Sequence, residues 1–174
     1  QMVGLFIKSG PVVQVRDKEG KSSVLSDNDP SVLYDGPLTV MVNGFSASAS
    51  EIFAAAIQDY KRGIIIGSNS STYGKGTVQR NVPLGKPIDL ASGRTEYGAV
   101  KLTFQKFYRI NGGSTQLKGV TPDVYMPDSY EFLKFREKDN VSALPWDEIK
   151  KADYQNFSTD NYLTNTIKTT NDYL

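Results

Sequence analysis

The run that most constrains this chain is residues 38–67. Residues 38–43 (LTVMVN) are β-branched and apolar, as in a buried strand of a layered α/β sheet. Residues 48–60 (SASEIFAAAIQDY) place Ile52, Phe53, Ala56, Ile57 and Tyr60 at helical spacing, on one apolar face. Residues 63–67 (GIIIG) form a short apolar strand bracketed by glycines. Strand, helix and strand in about 30 residues make a βαβ unit, so the two strands are expected to be parallel with a right-handed crossover.

The rest of the chain is read around that unit. Residues 12–16 (VVQVR) alternate like a strand, and 17–36 are charged and turn-rich, a long surface loop with room for a short hairpin. Residues 68–76 (SNSSTYGKG) are small, polar and loop-like. Residues 99–110 alternate, with Val100, Leu102 and Phe104 on one face of a long strand, and Asn111-Gly112-Gly113 is a turn. Residues 124–126 suggest a short edge strand limited by Pro122. Beyond Pro127 charged and aromatic residues dominate, and Pro145 opens a helix candidate over 146–154. The expected organisation is a core over 1–127 and a small helical C-terminal extension over 128–174. The opening Gln1-Met2-Val3-Gly4 lacks signal-peptide features and reads as mid-domain sequence, so the chain is expected to be a piece of a longer protein.

Composition narrows the chemistry. The 174 residues contain neither cysteine nor histidine. Thiolate nucleophiles, thiolate metal sites, His-ligated zinc and a Ser-His-Asp triad are all excluded. A net charge of +1 offers no field to recruit nucleic acid or an anionic membrane. Any hydrolytic base must be Lys, Asp, Glu or Tyr.

Ser46, Ser48 and Ser50 crowd the strand-to-helix junction. Ser48-Ala49-Ser50-Glu51 matches the capping box S-x-x-E, in which Ser48 would cap the helix for about 1 kcal/mol. The same geometry suits a nucleophile: a serine there lies over the positive end of the helix dipole, beside backbone N–H groups able to stabilise an oxyanion. Neither reading excludes the other, although G-x-S-x-G is absent.

A nucleophilic serine needs a base, and Lys75, between two glycines, is the candidate. A lysine serves only if its pKa falls well below about 10.4, which requires burial and no adjacent carboxylate. No acidic residue lies between Gly67 and Ile88. Gln79 offers a neutral amide to orient the amine. The i, i+4 spacing joins the two on a helical turn, whereas a strand would hold them about 13 Å apart. A solvated loop lysine is the plainer reading. A P-loop fits poorly, with Asn69 where the first glycine should stand and Gly76 after the lysine, and no Ser-x-x-Lys occurs.

Residues 46–60, GIIIG (63–67), TYGKGTVQ (72–79), FYRINGGSTQLKGVTPD (107–123) and ALPWD (143–147) together resemble the carboxyl-terminal processing peptidases, also called tail-specific serine proteases. The resemblance implies an incomplete ClpP/crotonase-like α/β core and a Ser/Lys dyad. Ser48 would be the nucleophile, Lys75 the base, Gln79 the orienting amide and the Ala49 N–H one oxyanion donor. It implies no metal or cofactor, and protein or peptide substrates recognised by an apolar C-terminal tail. It further implies a periplasmic or cell-envelope setting in bacteria, an upstream PDZ domain in the full-length chain, and scope for a homo-oligomer. Asp59 aligns with an acidic position and is read as structural. The loop from Gly67 to Lys75 is about two residues longer than the resemblance leads one to expect. The glycine-rich segment supplying the second oxyanion donor is expected upstream of residue 1, so the chain alone should be weakly active or inactive. Two rivals remain: a non-catalytic binding or scaffolding domain with the same fold, and a crotonase-like acyl-CoA enzyme.

Overall fold

The computed structural model describes residues 2–68, 70–84, 98–157 and 161–174. Two sheets face one helix. Strands β1 (Gly10–Arg16) and β2 (Ser22–Asp27) form an antiparallel hairpin with a register shift between Pro11 and Val13. Strands β3 (Thr39–Val42) and β4 (Ile64–Gly67) flank helix α1 (Ala49–Asp59) and pair in parallel, Thr39 opposite Ile64. The βαβ unit read from the sequence is therefore present, its elements trimmed by one residue or so at their ends. β5 (Thr77–Pro83) and β6 (Ala99–Tyr108) are antiparallel, β7 (Val124–Tyr125) adds in parallel to β4, and α2 (Tyr162–Tyr173) ends the chain. One sheet runs β2-β1-β6-β5 and the other β3-β4-β7.

Helix α1 is buried on more than the single face its periodicity suggests. Ala56 and Tyr60 join Val3, Ile7, Ile110 and Ala152; Ala54, Ala55 and Ile57 join Ile65 and Val120; Ile52 leans on Val13, Val15 and Phe107. Three consecutive alanines keep the helix thin enough to sit between both sheets.

Two elements differ from the sequence reading. The region 146–154 is not a helix. Its backbone is used laterally: the Ile149 N–H donates to Gly112 O, the Ala152 N–H to Ile110 O, and Asp147 O accepts the Ser114 N–H. Asp147 is also held by Arg16, Lys106 and the Tyr108 hydroxyl. These cross-chain bonds satisfy the groups a helix would have paired within itself. Conversely, β5 was not anticipated, although Val78, Arg80 and Val82 alternate with Gln79 and Asn81, a period-2 signal. α2 was also missed as a discrete helix, because its threonines and asparagines have low helix propensity.

Candidate active site

Each junction serine has a separate task. Ser46 closes a turn: its hydroxyl accepts the Asn43 N–H at 3.1 Å, and its own N–H donates to Asn43 O at 3.0 Å. Ser50 is exposed on α1. Ser48 is the N-cap of α1, with φ 56° and ψ −110°. That left-handed backbone is costly for a side chain, by about 1–3 kcal/mol, and such strain gathers at functional sites. It is the sharp strand-to-helix turn on which nucleophiles are exposed, reached here without G-x-S-x-G.

The capping box is lopsided. Glu51 Oε2 accepts the Ser48 N–H at 2.7 Å. The Ser48 hydroxyl lies toward the Glu51 amide, as the box requires, without completing a cap hydrogen bond. The capping box read from S-x-x-E is therefore present, with its firmer bond on the Glu51 side. Replacing Ser48 by glycine should raise stability by about 1 kcal/mol, because glycine adopts positive φ freely. A urea melt checks this, and a stability loss would show that the hydroxyl anchors the turn. At Ala49, the first residue of α1, the N–H has no acceptor among the described residues, as an oxyanion donor requires.

Glu51 carries the assembly, and the sequence reading gave it only a capping role. It is fully buried. Oε2 takes the Lys75 N–H at 3.0 Å in addition to that of Ser48, while Oε1 takes the Gly74 N–H at 2.7 Å and the Thr72 hydroxyl at 2.5 Å. The Ser48 turn and the Lys75 loop thus converge on one carboxylate, and the two residues share a single oxygen atom through their backbones. Burial pushes the Glu51 carboxyl above its ordinary range, and the donors from Thr72, Gly74, Ser48 and Lys75 pull the other way. The local sequence around Lys75 holds no acid, yet the fold brings this one from α1. It engages backbone amides, and no ion pair of Lys75 occurs among the described residues.

Lys75 is half-buried, and its Nζ donates to Gln79 Oε1 at 3.2 Å. The partners are those expected, but the geometry is not helical. Residues 72–76 are irregular, Gly74 has φ 93°, and β5 shifts register between Val78 and Gln79. The bulge shortens and turns the strand, so a pair four apart meets without a helical turn. A Cβ on Gly76 would lie 2.7 Å from the Gln116 N, so only glycine lets the loop pass. Gln116 Oε1 accepts the Gly76 N–H at 2.8 Å, and the Thr115 hydroxyl donates to Lys75 O at 3.0 Å. Asn69 lies outside the described residues.

No hydrogen bond joins Ser48 Oγ to Lys75 Nζ. Asp59 stands at the far end of α1, about 16 Å from Ser48 along the axis. There it accepts from Arg109 at 2.6 and 3.1 Å and from Asn111 at 2.9 Å, bracing α1 against the turn after β6.

A family model described as peptidase family S41 matches residues 1–126. The chain is 49% identical over 169 residues to a tail-specific protease from Haemophilus influenzae, covering 97% of this chain and 24% of that protein. It is 38% identical over 131 residues to a carboxy-terminal-processing protease from Bartonella bacilliformis, covering 72% of this chain and 27% of that protein. A solved photosystem II D1 C-terminal processing protease is similar at TM-score 0.57 and 32% identity, over 72% of this chain and 30% of that one. The chain spans about a quarter of the length of these curated relatives.

Proposed function

The chain belongs to peptidase family S41, and from that membership we propose that it supplies the Ser/Lys half of a serine endopeptidase core that processes or degrades proteins bearing an apolar C-terminal tail. Ser48 Oγ attacks the scissile carbonyl while Lys75, as its neutral amine, takes the hydroxyl proton. The Ala49 N–H stabilises one face of the oxyanion, at the positive end of α1. Collapse of the tetrahedral intermediate expels the amine, which receives the proton from Lys75, and leaves an ester on Ser48. Water, deprotonated by Lys75, then hydrolyses that ester. Gln79 orients the amine through a neutral carbonyl, which does not lock it in the charged form.

The observation that carries this reading is the sharing of Glu51 Oε2 by the Ser48 and Lys75 amides, because it draws together two residues far apart in sequence. The second oxyanion donor and the PDZ domain belong, in this reading, to the remainder of the full-length protein, which works in the periplasm or cell envelope. This chain alone is then weakly active or inactive.

The test uses the intact protein and an unfolded polypeptide ending in an apolar tail, with products followed by mass spectrometry. Wild type should cleave, and Ser48→Ala should not. Equal cleavage by both would leave Ser48 as a turn residue only and favour a non-catalytic scaffolding role.

A further inference from the structure

Three consecutive residues beyond the family match touch both halves of the site. The Phe135 ring stacks on Phe45, with centroids 4.2 Å apart and planes 10° from parallel. Phe45 belongs to the turn that delivers Ser48, its N–H bound to Asn43 Oδ1 at 3.0 Å. Next in sequence, Arg136 is 6% exposed, and its Nη1 donates to Ser70 Oγ at 3.1 Å, Ser71 Oγ at 3.2 Å and Ser71 O at 3.4 Å. The Glu137 N–H donates to Tyr73 O at 3.0 Å. Glu137 Oε1 accepts Gln116 Nε2 at 2.9 Å, and Gln116 in turn holds the Gly76 N–H. The lysine's loop is therefore gripped before and after Lys75 by neighbours of one aromatic that rests on the serine's turn.

Arg136 itself makes an unusual choice. A guanidinium this buried ordinarily has a carboxylate partner. Arg136 has none among the described residues, and its side chain is spent on two hydroxyls and a carbonyl of the loop. Such an arrangement adds geometric definition more than stability, since burying the charge offsets much of what the hydrogen bonds gain. Its own backbone is set by the Arg136 N–H on Asp139 Oδ2 at 2.9 Å, which fixes where the side chain starts. Ser70 and Ser71, which it holds, lie on the chain that leads into Lys75.

We propose that Phe135-Arg136-Glu137 is a clasp that sets the separation of Ser48 and Lys75, with Arg136 as the positioning residue for the lysine's loop. The inference rests on the Ser/Lys reading of the site. It assigns a role in the reaction to a segment outside residues 1–126.

The experiment measures kcat per titrated active site and KM for the intact protein on an unfolded polypeptide with an apolar carboxyl terminus. Arg136→Ala should lower kcat by about 100-fold, the scale of a 1 Å misplacement, with KM within about twofold. Arg136→Lys should recover part of that loss, because an ammonium can still donate to Ser70 and Ser71. Should Arg136→Ala fail to fold, Ser70→Ala removes one exposed acceptor and should lower kcat in the same sense with KM unmoved. An unchanged kcat per active site in whichever of these two variants folds overturns the clasp. A loss confined to the amount of active enzyme does so too, being the mark of a structural role. Cleavage that survives Ser48→Ala sinks the reading of the site and the clasp with it. Cleavage lost in Ser48→Ala but intact in Arg136→Ala sinks the clasp alone.

Discussion

Lys75→Arg is expected to abolish cleavage as thoroughly as Lys75→Ala, each lowering kcat/KM by about 10⁴-fold or more. Charge conservation does not help. A guanidinium stays protonated throughout the accessible pH range, so it cannot take the Ser48 proton. Had the lysine's task been to hold the loop or to offer a positive charge to the oxyanion, arginine would rescue most of the activity. The comparison therefore separates proton transfer from electrostatic support, which alanine alone cannot do. The environment of Lys75 suits the first role. Its amine donates to the neutral Gln79 Oε1 at 3.2 Å, and the nearby Glu51 carboxylate is occupied by backbone amides and the Thr72 hydroxyl. Gln79→Glu should depress activity in turn, because a carboxylate at that position favours the protonated amine. The assay is cleavage of an unfolded polypeptide with an apolar tail, run on intact proteins of matched fold by circular dichroism. If Lys75→Arg kept more than about a tenth of wild-type kcat/KM, lysine would not be the base.

The parts of this fold that were legible from sequence are those whose partners lie close along the chain. Residues 38–67 announce a βαβ unit because strand and helix periodicities meet there without ambiguity. Thr39–Val42, Ala49–Asp59 and Ile64–Gly67 fall where expected. The pairing of Lys75 with Gln79 was legible as chemistry, yet the helical turn invoked to explain it was wrong, because a β-bulge is a property of two strands and not of one. The region 146–154 was misread for a related reason. Pro145 is a residue that can open a helix, but Asp147, Ile149 and Ala152 give their backbone groups to residues 110–114. Glu51 was seen only as the far end of a capping box. Nothing local says that Thr72, Gly74 and Lys75 will turn three donors toward it. The positive φ of Ser48 had no sequence signal at all, since non-glycine residues rarely sit there.

The stability of the assembly should turn on that same carboxylate. Glu51→Ala is expected to lower unfolding free energy by about 5 kcal/mol, because four donors, two of them buried and two partly buried, lose their acceptor at roughly 1–3 kcal/mol each while entering water recovers part. Against a total of about 5–15 kcal/mol for a domain, that leaves little folded protein at 37 °C. Glu51→Gln keeps one good acceptor and turns an amide toward the remaining N–H groups, for a loss nearer 2 kcal/mol. The two variants should also differ from wild type in how they respond to pH. Burial holds the Glu51 carboxyl above its ordinary range, more than its four donors lower it. The folded chain thus binds this proton more tightly than the unfolded chain does. Stability from this group is then greatest below the unfolded value, about 4.3. It declines as pH rises through the window up to the folded value, and is flat beyond. Glutamine does not titrate, so the deficit of Glu51→Gln relative to wild type should be larger at pH 4 than at pH 7 in paired urea melts. A deficit that grows with pH would reverse the sign: the three amides and the Thr72 hydroxyl would then outweigh burial, and the ionised carboxylate would be the form the fold prefers.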